Sequence, residues 1–229
     1  MYASFITGKI VCLRPPVLPE DVLDGGWHNW FNDQIITEHL EHGVRPISAG
    51  EEINILEAAC SRPSSMIFAI TRAVDQKLIG TISLRDINHL QRRAEIGLVL
   101  GNDKCPGAAI EAMALLTQHA FDRLNIEKLY AGQHEDLWKW VNTLGTIGYT
   151  IEGFRESYGY RNGKSYGVLL TGITASQFYA LRNKRGGDIL LGDPVKTARG
   201  RSKRNPIPSL QLALSGISKE LLEQDKNVD

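Results

Sequence analysis

The stretch GNDKCPGAAIEAMALL at residues 101–116 carries most of the chemical information in this chain. Its pattern predicts the end of a strand, a turn of small residues and a helix that begins at once. Gly107, Ala108 and Ala109 leave the backbone of that turn uncovered, so an anion could approach main-chain N–H groups closely. A helix N-terminus adds unpaired donors and the positive end of the helix dipole. The sequence therefore predicts a phosphate-binding loop here.

The composition predicts a soluble globular protein of one domain, with or without an appendage. The chain has 229 residues, 42% of them hydrophobic, and its formal net charge is zero, which argues against a general affinity for nucleic acid or membranes. Cys12, Cys60 and Cys105 are odd in number and far apart, so we expect reduced thiols, with no disulfide and no metal site. The start lacks a signal peptide and no apolar run reaches the ~20 residues of a membrane span. We therefore expect a cytoplasmic location.

Hydrophobic periodicity predicts alternating strands and helices over most of the chain. The predicted strands are 10–15, 66–72, 77–87, 94–101, 127–133 and a hairpin that turns at Arg161-Asn162-Gly163. The predicted helices are a short one near residue 20, one at 47–60 with a serine N-cap, one at 107–123 and one at 137–149. This order predicts an α+β fold with a mostly antiparallel sheet.

The chain changes character after residue 182. Residues 183–209 are rich in Gly, Pro and basic residues, and residues 210–224 have a short amphipathic pattern. We interpret 1–182 as one domain and 183–229 as a basic arm, a linker over 183–209 followed by a short helix. The arm is either a solvated tail or a segment that docks on a partner subunit or an acidic surface, and a homo-oligomer is one such partner.

Four segments in the same order and spacing resemble the Gcn5-related N-acetyltransferase (GNAT) superfamily, in the branch of ribosomal-protein alanine acetyltransferases and amino-sugar acetyltransferases. They are GKIVCLRP with WFNDQIITEHL, LIGTISLRDIN with RAEIGLVLG, the loop Lys104-x-x-Gly107-x-Ala109, and LGTIGYTIEGFRESYGYRNGKSYGVLL. The resemblance implies an acyl-CoA N-acyltransferase fold, with a twisted sheet splayed at the cofactor site and flanked by helices. It also implies acetyl-CoA as the cofactor.

The resemblance assigns cofactor contacts to three parts of the chain. Main-chain groups of Leu98, Val99 and Leu100 would pair with the pantetheine arm and supply the oxyanion donor. The pyrophosphate would lie on Lys104, Cys105, Pro106, Gly107, Ala108 and Ala109, and the last helix would contribute Leu137 and Trp140. Two departures from the family pattern stand out. Pro106 has no N–H to offer a phosphate, and Leu144 takes the place of a tyrosine that is the general acid in some relatives.

Transfer to an amine needs a route for the amine proton, because a protonated amine cannot attack a thioester. Glu95 is the first candidate base, acting directly or through water, because it lies in a largely apolar run where desolvation would raise the pKa of its carboxyl. The alternative is that Glu95 forms an ion pair with Arg85, Arg92 or Arg93. His134 is the second candidate base, or else a surface histidine. Tyr166, on the closing hairpin, protonates the thiolate, lines the acceptor pocket or only packs against the sheet.

Trp27, Trp30, Asn32 and His39 cluster in the segment that shapes the acceptor site in relatives, although both tryptophans could equally belong to the core. We therefore predict an N-acetyltransferase that moves an acetyl group from acetyl-CoA to a primary amine by direct attack through a tetrahedral intermediate. The predicted acceptor is a small molecule such as a nucleotide-linked amino sugar. The alternatives are a protein N-terminus as acceptor, or a non-catalytic acyl-CoA-binding module.

Overall fold

The structure is a computed structural model that describes residues 3–41 and 43–225. The eight strands are β1 (Ile6–Thr7), β2 (Val11–Arg14), β3 (Met66–Arg72), β4 (Leu78–Asn88), β5 (Arg93–Leu100), β6 (Lys128–His134), β7 (Thr150–Arg161) and β8 (Lys164–Thr174). The α-helices are α1 (Glu20–Leu23), α2 (Trp27–Asn32), α3 (Ala49–Cys60), α4 (Ala108–Arg123), α5 (Trp138–Leu144), α6 (Ala175–Lys184), α7 (Pro194–Arg199) and α8 (Ile207–Asp225). Short 3-10 turns, Glu135–Leu137 and Gly145–Ile147, flank α5.

The strands form one sheet in the order β1-β2-β3-β4-β5-β6-β8-β7. Every neighbouring pair is antiparallel except β5 and β6, which are joined by the crossover helix α4 and run parallel. This parallel pairing covers only Arg93–Glu95 against Lys128–Tyr130, after which the two strands have no further paired residues. The predicted α+β class and the predicted splay of the sheet are confirmed.

Helices cover both faces of the sheet, and the strand residues alternate between them. Phe68 and Ile70 of β3 belong to the main core with α4 and α6. Ala69, with Ile67 beside it, packs instead with the tryptophans of α2 and with α3. Because successive side chains of a strand point to opposite faces, these two clusters lie on opposite sides of the sheet. The helices α1 to α3 therefore cover one face, and the helices after β5 cover the other.

Helix α4 begins at the predicted small-residue turn and is fixed there by an acid. Gly107, its N-cap, has φ +85°, a conformation that glycine adopts at little cost. The carboxylate of Glu111, in the first turn, accepts backbone N–H bonds from Lys9, Ile10 and Val11 at 2.8, 2.6 and 2.8 Å. Glu111 is only 2% exposed, so it holds the β1–β2 turn against the start of α4.

The C-terminal segment differs from the predicted linker over 183–209. Helix α6 runs through residue 182, and Ile189 and Leu190 are buried in the main core. The six-residue helix α7 follows, with Pro194 and Thr197 buried. The short apolar run Ile189-Leu190-Leu191 between glycines gives too little periodicity to predict this packing from sequence. Helix α8 begins at Ile207, earlier than predicted, and residues 226–229 of the predicted arm lie outside the described residues.

Candidate active site

The divergence of β5 and β6 opens a cleft of about 1150 Å³ in the middle of the sheet. Beyond Glu95, strand β5 keeps its hydrogen-bonded partner on one edge only, since Leu98, Val99 and Leu100 lie opposite Ile82, Thr81 and Gly80 of β4. The other edge faces the cleft, and these three residues line it. An exposed strand edge of this kind can accept an extended ligand as an added strand.

The predicted phosphate loop, residues 104–109, lies partly in the segment 101–107 that joins β5 to α4 and partly in the first turn of α4. Lys104 and Pro106 are exposed, Cys105 and Gly107 are half-buried, and Ala108 begins α4 as a buried residue. The Ala108 N–H is occupied by the Cys105 carbonyl at 3.1 Å, and burial raises the pKa of the Cys105 thiol, which suits a loop residue that does no chemistry. Of the predicted loop residues, Ala109 lines the cleft and the other five lie beside it.

The cleft wall across from β5 comes from β6 and the segment after it. Leu137, at the end of the first 3-10 turn, and Trp140 of α5 both line the cleft, and their contact with a cofactor stays a prediction. Leu144, by contrast, is fully buried in the main core and cannot reach the cleft. An apolar wall, an open strand edge and a helix that begins beside the cleft fit the chemistry of an acyl-CoA, which has an extended amide arm and a diphosphate.

Glu95 lies where the two strands separate, and it is paired. Its carboxylate accepts from the Arg85 guanidinium at 3.2 Å, across the β4–β5 ladder, and its side chain is 27% exposed. Of the alternatives predicted for Glu95, the pairing with Arg85 is the one that the structure contains.

His134 ends β6 in a stack of three rings. Its imidazole lies 4.7 Å from that of His39 and 4.5 Å from the ring of Tyr166, centroid to centroid. All three residues line the cleft. Gly159 lies opposite Tyr166 in the β7–β8 hairpin, and a Cβ there would be 2.4 Å from the tyrosine hydroxyl, so glycine leaves room for the ring.

The surroundings of His134 favour its neutral form. Burial, and next the neighbouring His39, lower the pKa of His134, while Asp136, Glu135 and Glu38 oppose this shift. The Asp136 N–H donates to Nδ1 of His134 at 3.2 Å, which assigns the proton of the neutral ring to Nε2. Nδ1 of His39 is buried without a hydrogen-bond partner among the described residues.

The predicted acceptor residues separate into two groups. Trp27 and His39 line the cleft. Trp30 is buried in the second core, where its indole packs on Gly101, so a Cβ at that glycine would be 2.3 Å from Nε1. Asn32 does not line the cleft either, because its side chain bonds both backbone groups of Ile47, at 2.9 and 3.0 Å. Both residues support the segment that carries His39.

Two residues of the cleft were missed from sequence. Glu52 of α3 lines the cleft but is only 5% exposed, and burial raises the pKa of its carboxyl. Glu52 lies four residues before the buried Leu56, and residues at this spacing share one helix face. The sequence could therefore have shown that Glu52 faces the inside of the protein. Arg161, at the tip of the β7–β8 hairpin, donates to the carbonyls of Thr37 and Leu40 at 2.7 and 2.6 Å, and this contact across the fold had no sequence signal.

The described part of the chain contains no helix long and apolar enough to cross a membrane. Its cysteines are free, with Cys12 buried, Cys60 exposed and Cys105 between the two.

Comparisons with known proteins agree with this architecture. Residues 11–150, more than half of the chain, match the acetyltransferase (GNAT) domain family. Spermidine N(1)-acetyltransferase of Escherichia coli K12 is 28% identical over 118 residues, which are 51% of this chain and 63% of that protein, so the match spans less than two thirds of this curated relative.

Solved structures share the fold at low sequence identity. The spermidine N-acetyltransferase of Vibrio cholerae, in complex with CoA and spermine, has a TM-score of 0.67 and 22% identity over 74% of this chain and 98% of its own. A GCN5-related N-acetyltransferase from Brucella melitensis has a TM-score of 0.63 and 21% identity over 78% and 81%. The expected branch of alanine and amino-sugar acetyltransferases is not confirmed. The fold, the splayed cleft and the family match together show that this chain belongs to the GNAT acetyltransferase superfamily.

Proposed function

We propose that the protein is an acetyl-CoA-dependent N-acetyltransferase that acts on a small primary amine. The observation that carries this proposal is the cleft between β5 and β6, which joins an open strand edge, a helix N-terminus and the His39–His134–Tyr166 stack. Bound acetyl-CoA would supply an activated acyl group as a thioester. The β5 edge at Leu98–Leu100 and the loop at 104–109 would hold it, with Leu137 and Trp140 as the opposite wall.

Proton handling falls to side chains on either side of the cleft. Glu95, whose carboxylate pairs with Arg85 at the point where the strands separate, accepts the amine proton directly or through water. His134, kept neutral, adds no positive charge that would repel a protonated amine as it enters. Together with the main-chain N–H groups of the β5 edge, its Nε2–H and the Tyr166 hydroxyl are donors for the oxygen and sulfur atoms that gain negative charge.

The acceptor end of the cleft suits a cationic amine, because Trp27 and the buried Glu52 form part of its wall. The relatives named above for spermidine make polyamines the first acceptors to test. The amino sugar that the sequence suggested has no support from the comparisons. It stays in the test panel with a peptide N-terminus, the acceptor of the protein-modifying alternative.

Two observations favour a second candidate, a non-catalytic acyl-CoA-binding module. Leu144 occupies the place of a general-acid tyrosine of some relatives and is buried away from the cleft, and Pro106 lacks one loop N–H.

Calorimetry with acetyl-CoA and an assay of thiol release across the amine panel separate the two candidates. We expect binding and release of CoA with at least one amine, and Glu95→Gln is expected to abolish most of that release. Binding without release on any amine would favour the module, and absence of binding would refute both.

A further inference from the structure

Residues 188–207, which we call the C-terminal strap, run over the part of the protein where the candidate phosphate loop lies. The strap starts with Ile189 and Leu190 in the main core and continues into α7. A Cβ on Gly107 would lie 3.0 Å from Val195 and 3.2 Å from Pro194, so α7 packs directly on the N-cap of α4. This end of the strap therefore touches the loop that follows β5.

The other end of the strap is fixed to α5. The Asn142 side chain donates to the carbonyls of Ser202 and Arg204 at 3.0 and 2.8 Å. Ile207 then packs with Val141 in a third apolar cluster. Helices α4 and α5 follow β5 and β6, so the strap connects the two sides of the opening between those strands without lining the cleft between them.

The middle of the strap carries positive charge that no acid neutralises. Five of the nine residues from 196 to 204 are basic and none is acidic: Lys196, Arg199, Arg201, Lys203 and Arg204. All five are exposed, and none has a carboxylate partner within the described ranges. The two strap acids are engaged elsewhere, since Asp188 accepts the N–H groups of Leu190 and Gly192 and Asp193 caps α7.

We propose that this basic strap binds the adenosine 3′-phosphate end of acetyl-CoA. This inference rests on the proposed function for the cofactor itself. The 3′-phosphate monoester is the most highly charged group of CoA, and it hangs from the end of the molecule farthest from the thioester. If the diphosphate lies on the α4 N-terminus, that end of the cofactor would extend past the start of α4, which α7 of the strap contacts. Guanidinium and ammonium groups are the usual partners of phosphate.

A nucleic acid is the competing ligand for a basic segment of this kind. The position of the strap favours the cofactor, because its anchors lie on Gly107 of the candidate phosphate loop and on Asn142 of α5, the helix that carries the cleft residue Trp140. The chain as a whole has zero net charge, so it lacks the broad basic surface that nucleic-acid binding usually requires.

The direct test needs only the wild-type protein, CoA and 3′-dephospho-CoA in titration calorimetry at low and physiological ionic strength. We expect CoA to bind about tenfold more tightly than 3′-dephospho-CoA, a difference of ~1.4 kcal/mol, and the ratio to shrink as salt screens the contact. A ratio of one in a protein that binds CoA would overturn the strap proposal alone. Failure to bind CoA would refute the proposed function as well.

Variants then locate the contact. The strap variant combines Arg199→Gln, Arg201→Gln and Lys203→Gln, and the matched control combines Lys164→Gln, Lys184→Gln and Lys219→Gln. Both remove three exposed positive charges, so equal melting temperatures are expected. The strap variant should bring the affinity ratio close to one, while the control keeps the wild-type ratio. If the strap variant keeps the CoA to 3′-dephospho-CoA affinity ratio but loses binding to an oligonucleotide, the basic residues bind nucleic acid and the proposal is overturned.

Discussion

Glu111→Ala is expected to destabilise the protein more than a typical surface change, because one buried carboxylate satisfies three backbone donors. Its Oε1 accepts from Lys9, and its Oε2 from both Ile10 and Val11. Hydrogen bonds to a charged group contribute about 1.5–3 kcal/mol each, and removal of one partner from a buried charged contact costs about 3–5 kcal/mol. We expect a loss of about 4 kcal/mol, which for a chain of this size lowers Tm by about 10 °C.

Glu111→Gln separates the hydrogen bonds from simple side-chain volume. A glutamine oxygen in the place of Oε2 keeps the bonds from Ile10 and Val11, whereas its amide group would face the Lys9 N–H. The glutamine variant should therefore lie between wild type and Glu111→Ala in urea and thermal unfolding. Glu51→Gln is the matched control, since Glu51 is also a first-turn acid but is exposed beside Arg45. If Glu111→Ala has the same melting temperature as this control, the Glu111 carboxylate does not stabilise the β1–β2 turn as we infer.

Three further predictions concern the cleft. The acid limb of kcat/KM should lie below pH 6.5, because the pKa of His134 is lowered and protonation removes the neutral ring. His39→Gln removes a neighbouring imidazole that lowers this pKa, so the acid limb should move to higher pH. An unchanged acid limb in this variant would contradict the coupling of the two histidines. Glu52→Gln should raise KM for a cationic amine several-fold with little change in KM for acetyl-CoA, and equal effects on both would argue against an acceptor role. Glu95→Gln should lower kcat about 10²-fold, and full activity in this variant would leave water as the base.

Local patterns predicted most of the sheet and the start of α4. Ser48 is the N-cap of α3, as expected, and its hydroxyl accepts from the Glu51 N–H. The hairpin turns at Asn162 and Gly163, both with positive φ, as the dipeptide indicated. These features depend on residues within a few positions of one another, so they can be predicted from a single sequence.

The candidate site depended on contacts that no local pattern carries. His39 and His134 meet across the fold, and Arg161 bonds carbonyls more than a hundred residues away. Alternation could not show that Glu95 would face Arg85 rather than Arg92 or Arg93, since strand register decides the partner. The strap was missed because its anchors on Gly107 and Asn142 are tertiary.

The three-residue parallel pairing of β5 with β6 divides the sheet into two mechanical units. Strands β1–β5 form one antiparallel unit and β6–β8 another, and within the described chain their ladders meet only at Arg93–Glu95. A ligand that pairs with β5 in the cleft would connect the two units by hydrogen bonds, so that they unfold as one cooperative unit. The amide hydrogens of residues 96–100 that point into the cleft should then exchange quickly in the free protein and slowly with acetyl-CoA, whereas those that bond β4 stay protected in both states. The sheet becomes continuous only when the cleft is filled.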